Sequence, residues 1–196
     1  MAIARHYPKE KKLGHLMLDL ETMGNKSKSA ILSIGAVEFD IETGITGKVF
    51  YQRINLQSCL NAGLIVNAST VMWWLQQSEE ARKEICKVGD SLHNSLDKLT
   101  SFMHCLEHNF QIWGNGVRFD IGILEDAYFA CKHEQLPWDF RSERDVRTLV
   151  SFAPEVKENL PFNGTQHNPI DDCKHQIAYC SAIWKKLNNL TFLTNK

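Results

Sequence analysis

The chain has 196 residues, 43% hydrophobic and 23% charged, which is enough for a domain with a real core and ordinary for a globular protein. Its 22 Lys and Arg stand against 23 Asp and Glu, so the net charge is −1 and a bulk basic field for nucleic acid is excluded. Any nucleic-acid contact must come from a local patch or through metal ions.

No run of apolar residues is long enough for a membrane span. The basic stretch with Arg5, Lys9, Lys11 and Lys12 has no apolar segment of a secretory signal. Six cysteines without a CxxC pair are expected to be reduced thiols of a cytoplasmic protein. His104, Cys105 and His108 lack a second ligand pair at zinc spacing and are expected on a helix surface.

Residues 1–14 read as a basic lead-in, and 15–190 as one domain. The first strand is expected at 15–21, where Leu16, Met17, Leu18 and Leu20 are hard to expose together, so it should be central and covered on both sides. Met23–Ser29, with Gly24, Lys26 and Lys28, is a loop. Strands follow over 30–40 and 48–54 around the turn Glu42-Thr43-Gly44, making an antiparallel meander.

A looser stretch, 55–67, precedes a helix over 70–77 carrying Trp73 and Trp74. Ser78 caps a further helix start. Leu92, Leu96, Leu99, Met103 and Leu106 predict a helix over 91–108 with one apolar face. A short strand at 109–113 ends in Gly114-Asn115-Gly116, and Phe119-Asp120 opens a helix to about 131. Leu136–Phe140 is expected as an edge strand. A helix from Asp145 should stop before Pro154. A Gly/Pro/Asn-rich loop leads to a last helix over 170–187, with Cys173, Ile177, Cys180, Ile183 and Trp184 on its apolar face. The order implies an α/β chain with a mixed sheet.

Asp19 and Glu21 stand two apart on a strand and so share a face. Adjacent carboxylates repel and resist desolvation, and an oxygen-only cluster suits Mg²⁺ or Mn²⁺. Asp120 lies between a glycine loop and a helix start, and Asp172 lies in the first turn of the last helix, five residues after His167. Strand ends and helix starts in an open α/β sheet are where sites form.

Asp19-x-Glu21, Asp120 and His167-x-x-x-x-Asp172 together resemble the DEDDh exonucleases of the ribonuclease-H-like fold. Asn168 stands where the tyrosine variant would place Tyr. Asp19–Gly24, Ser69-Thr70, Trp73-Trp74, Gln77-Ser78, Gly116–Asp120, Arg144–Thr148 and His167–Cys173 are similar to the T-even phage exonuclease A group and its bacterial relatives. The resemblance implies a mixed five-stranded sheet flanked by helices. It implies a 3′→5′ exonuclease releasing nucleoside 5′-monophosphates from single-stranded 3′ ends with two Mg²⁺ or Mn²⁺ ions. DNA is favoured over RNA on likeness to the phage group. An exoribonuclease and an inactive nucleic-acid-binding module are the alternatives, and homodimerisation stays open.

By the same resemblance, Asp19 bridges the ions, Glu21 and Asp172 complete one site, Asp120 holds the second through water, and His167 takes the water's proton. Thr22 and Met23 meet the terminal nucleotide. Lys26 and Lys28 draw in phosphates, and Trp73 and Phe119 offer stacking faces. Arg144 and Arg147 are expected to pair with Glu143 and Asp145, and His175 to face solvent.

Overall fold

The computed structural model describes residues 13–106 and 109–193. The expected lead-in falls mostly on 1–12, outside the described residues, as does His108. Five strands form one sheet: β1 (His15–Thr22), β2 (Ile31–Phe39), β3 (Thr46–Arg53), β4 (Gln111–Gly114) and β5 (Glu143–Asp145). Their order across the sheet is β3-β2-β1-β4-β5. The first three pair antiparallel, whereas β4 runs parallel to β1 and β5 parallel to β4.

The sheet is flanked by α1 (Leu56–Asn61), α2 (Ala68–Leu75), α3 (Glu79–Ile85), α4 (Leu92–His104), α5 (Asp120–Ala130), α6 (Val146–Ser151), α7 (Pro154–Glu158) and α8 (Pro169–Leu193). Among the described residues, no helix is long and apolar enough to cross a membrane.

The central strand sorts its side chains by the two-residue period. Leu16, Leu18 and Leu20 enter one core with Leu92, Leu96, Leu99 and Met103 of α4 and Ile121, Leu124, Ala127 and Tyr128 of α5. Met17 enters the opposite core with Val37 and Phe39 of β2, Val146 of α6, and Cys173, Ile177, Cys180 and Ile183 of α8. Asp19 and Glu21 share Met17's parity, so both acids rise from the α8 face.

One close approach sets the distance between α8 and this face. Gly35 pairs across the sheet with Asp19. A Cβ on Gly35 would lie 2.7–2.9 Å from Pro169, including its backbone. Only a glycine lets the first turn of α8 come this near. Cys173 is then close enough to donate its thiol to the Met17 and Gly35 carbonyls at 3.5 and 3.7 Å.

Several expectations are corrected. Leu136–Phe140 is not a strand: Trp138 is buried and its indole donates to Glu143. Asp139 accepts from the Arg141 amide and starts a 3-10 turn at Phe140–Ser142, so the edge strand forms at Glu143–Asp145. The stretch 55–67 contains α1, started by Asn55 accepting from Ser58 N–H. Pro154 does more than end a helix: it opens α7, at a position where its missing N–H costs nothing. The last helix begins at Pro169 for the same reason and continues to Leu193.

Arg144 donates to the Arg141 and Glu143 carbonyls rather than to a carboxylate, and Arg147 donates to Asn115 at 3.4 Å while its charge still helps to lower Asp145. His175 packs between Phe162 and Tyr179, with ring centroids 4.9 and 5.3 Å away, instead of facing solvent. Trp184 sits at the margin of the apolar face and is 36% exposed.

Candidate active site

The acids converge where the parallel pair β1 and β4 ends. Asp19, Glu21 and Asp172 place carboxylate oxygens within 4.8 Å of one another. Asp120 enters from the start of α5, where its Oδ1 accepts from Leu20 N–H at 3.2 Å. Gly114 leaves room for this side chain, since a Cβ there would lie 3.1 Å from Asp120 Cβ and 3.3 Å from its Oδ2. Asp120 is buried and its Oδ2 has no hydrogen-bond partner. Such an oxygen costs free energy unless something positive or protonated meets it.

The electrostatics match this crowding. Burial, and then repulsion from Asp120, Glu21 and Asp172, pushes Asp19 well above the usual carboxylate range, against a hydrogen bond from Gln176. Burial and the charges of Asp172 and Asp120 raise Glu21 likewise. Burial pushes Asp120 up to about 7 and Asp172 up to about 6. Four acids in one place all resist ionisation, the signature of a site shaped for positive charge. The donors are all carboxylate oxygens, which fits Mg²⁺ or Mn²⁺.

A cleft of about 570 Å³ opens over the acids, lined in part by Thr22, Trp73, Trp74, Asn115, Phe119 and His167. His167 adopts a left-handed backbone, φ 63°, in the loop before α8. Its ring stands edge-on to Trp73 and Trp74, with centroids 5.0 and 5.9 Å away. Burial lowers its pKa, so it is neutral and able to accept a proton at neutral pH. Trp74 is 2% exposed and donates to the Thr22 carbonyl at 2.9 Å, whereas Trp73 is 42% exposed. Thr22 donates its hydroxyl to the Gly24 carbonyl at 2.5 Å.

Not every expected residue reaches the cleft. Met23 packs half-buried between two apolar clusters that include Leu20 and Trp74. Lys26 lines a neighbouring cavity with Arg118 and Asp126. Lys28 is held at φ 61° by its amide donating to Asp126 at 2.8 Å, with Ser27 bonded to the same oxygen. These bonds tie Ser27 and Lys28 to α5, while Gly24 and Asn25, earlier in the same loop, line the cleft.

Sequence reasoning missed Gln176, which donates to Asp19 Oδ1 at 2.8 Å and is 4% exposed. Its signal was present: it lies one helical turn after Asp172 and so shares that face. It also missed Lys157, in an adjoining cavity of about 310 Å³ that shares Asn115, His167, Asp172 and Gln176 with the cleft.

The model of 3′-5′ exoribonuclease Rv2179c-like domains matches residues 14–184. The chain belongs to this family. It is a 3′→5′ exonuclease, and its fold is the ribonuclease-H-like fold of DEDDh nucleases. The exonuclease is 28% identical to the exodeoxyribonuclease of Enterobacteria phage T4 over 195 residues, covering 82% of this chain and 85% of the phage protein. The nuclease domain of 3′hExo, a DEDDh family member bound to rAMP, superposes with TM-score 0.63 at 10% identity, over 90% of this chain and 94% of that one. E. coli exonuclease I with a dT13 oligonucleotide gives TM-score 0.64 at 15% identity, over 91% of this exonuclease but only 42% of that longer chain. At these identities the two structures attest the fold.

Proposed function

We propose that the exonuclease removes nucleoside 5′-monophosphates in turn from the 3′ end of single-stranded DNA, using two divalent ions held by Asp19, Glu21, Asp120 and Asp172. The observation that carries this reading is the meeting of three charge-resistant carboxylates, Asp19, Glu21 and Asp172, with a neutral histidine in one open cleft, with the buried Asp120 carboxyl repelling Asp19 and Glu21 from behind it. Bound Mg²⁺ or Mn²⁺ would supply an activated water and neutralise charge on the attacking and leaving oxygens.

The remaining work falls to the chain's own side chains. Asp19, Glu21 and Asp172 would form the closer set of ligands, and Asp120 would offer its unpartnered Oδ2 to a second ion. Gln176 fixes the orientation of Asp19 through one amide hydrogen bond. His167 accepts the proton of the attacking water as the new oxygen–phosphorus bond forms and the bond to the 3′ oxygen breaks. Trp73 and Phe119 offer faces for the terminal bases. Lys157 meets phosphate from the adjoining cavity.

Single-stranded DNA is favoured because the phage relative, an exodeoxyribonuclease, aligns along most of both chains. RNA is the second reading, favoured by the family description as exoribonuclease-like. The test is digestion of 5′-labelled DNA and RNA of matched sequence with Mg²⁺, with Mn²⁺ and with EDTA, beside Asp19→Ala. A metal-dependent ladder shortening from the 3′ end, faster on DNA and lost in the variant, is the expected result. Faster RNA digestion selects the second reading, and full activity in EDTA or in Asp19→Ala refutes the metal assignment.

A further inference from the structure

A second group of metal-ligating side chains lies outside the cleft. His93 and Asp97 are one turn apart on α4, and His133 follows the end of α5. His93 Nε2 lies 3.8 Å from Asp97 Oδ2, and His133 Nε2 lies 3.8 Å from Asp97 Oδ1. All three residues offer ligand atoms within 4.8 Å of one another. Each oxygen of one carboxylate thus faces a different imidazole.

The separations are too long for hydrogen bonds. Consistently, His133 Nε2 is buried without a hydrogen-bond partner. They are near what an ion between them would require. Zinc–ligand bonds of about 2.0–2.2 Å in a tetrahedron put neighbouring donor atoms roughly 3.4 Å apart. The 3.8 Å distances run to different oxygens of Asp97 and the three donor atoms together lie within 4.8 Å, so closing on one ion takes up to about 1.4 Å of side-chain movement, which His93 and Asp97, 61% and 55% exposed, are free to make.

His133 is held in place by its backbone. Lys132 takes φ 63° after the end of α5. The Lys132 amide donates to the Phe129 carbonyl and the His133 amide to the Tyr128 carbonyl, at 3.0 and 3.1 Å. This is the paired bonding of a Schellman ending. A lysine in the left-handed region costs free energy that a glycine would not. The Tyr128 ring, 5.0 Å from that of His133 and perpendicular to it within 14° of a right angle (76°), steadies the imidazole from below.

We propose that His93, Asp97 and His133 form a second cation site that takes a zinc-class transition metal, with water completing the coordination. Two imidazoles and a carboxylate suit Zn²⁺, Co²⁺ or Ni²⁺, whereas Mg²⁺ takes oxygen ligands. The ion would staple α4 to the far end of the helix that Asp120 begins. An 11-residue α5 places that end about 16 Å from Asp120 along its axis, so the role is structural and separate from hydrolysis.

The test uses the full chain in an Asp19→Asn background, stripped with EDTA and returned to excess Mg²⁺, so that the cleft does not compete. Co²⁺ is titrated by its visible absorption and Zn²⁺ by calorimetry. The expected result is one equivalent of either ion that Mg²⁺ does not displace, lost in His93→Ala and in His133→Gln. Zn²⁺ should raise Tm in the parent and leave the Tm of His93→Ala unchanged. His93 is exposed, so its removal leaves the fold intact. Unchanged cobalt stoichiometry in His93→Ala, or complete displacement by Mg²⁺, overturns the proposal and leaves the cluster as an ordinary His–Asp–His contact.

Discussion

Gly35→Ala places a methyl group where the structure has no room for one. Its Cβ would meet Pro169 Cβ at 2.7 Å and the Pro169 backbone at 2.8 and 2.9 Å. Comfortable carbon contacts lie at about 3.5–4.0 Å, so the first turn of α8 must retreat by roughly 1 Å. Overpacking of this kind costs about 1–3 kcal/mol. The fold should survive, because α8 is also held further along by Ile177, Cys180 and Ile183.

The site should suffer more. Asp172 rides on that first turn and must stay within 4.8 Å of Asp19 and Glu21. A misplacement of about 1 Å at a reacting centre can cost on the order of 10²-fold in rate. The assay is kcat for release of mononucleotides from a labelled 3′ end, with Tm and the Mg²⁺ concentration for half-maximal rate measured alongside. A large fall in kcat, a higher Mg²⁺ requirement and a modest fall in Tm are expected. Gly122→Ala is the contrast. Its Cβ would meet the Val117 carbonyl at an ordinary 3.7 Å, and removing a helical glycine should stabilise by about 0.5–1 kcal/mol. Wild-type rate and Tm in Gly35→Ala would refute the claim that this glycine sets the position of Asp172.

His167→Ala should lower kcat by about 10²-fold or more with little change in substrate affinity, and an unchanged kcat removes His167 from proton transfer. Trp73→Ala should weaken binding of a single-stranded 3′ end by about 1–3 kcal/mol at unchanged Tm, read by anisotropy of a labelled oligonucleotide, and unchanged affinity removes the stacking role. The acids give metal-free protein an unusual pH dependence. A carboxyl raised in the folded state, as Asp120 is to about 7, contributes stability that is full below its unfolded pKa and lost as pH rises through its folded one. In EDTA, Asp120→Asn should therefore flatten the fall of Tm between about pH 4 and 7; His15, lowered by burial and opposite in slope, is kept in both proteins. Identical slopes in wild type and variant would contradict the buried-carboxylate account.

The acids and His167 were legible because each sits at a local landmark: a strand end, a helix start or a loop before a helix. The i, i+2 spacing of Asp19 and Glu21 stated their shared face directly. What stayed hidden acts between elements distant in sequence. Gly35 matters because of Pro169, Gly114 because of Asp120, and Gln176 because of Asp19. No local pattern marks such pairs. The short elements were misplaced for a different reason. Neither α1, with six residues, nor β5, with three, is long enough to show a period. Nor does any local pattern mark the bonds from Ser27 and the Lys28 amide to Asp126, 99 and 98 positions away, that fix the loop carrying Lys26 and Lys28.

The hydrogen bond between Gln176 and Asp19 joins residues 157 positions apart. Loops of that length close late, because their entropy must be lost before the contact returns any stabilisation. With the proposed ligands split between β1 and α8, hydrolysis should not precede the docking of α8 onto β1, and a collapsed intermediate with the meander already paired should be silent. In refolding experiments, nuclease activity should return with the slowest structural phase. On the proposed site the enzyme would report its own completion, a half-folded copy leaving nucleic acid intact.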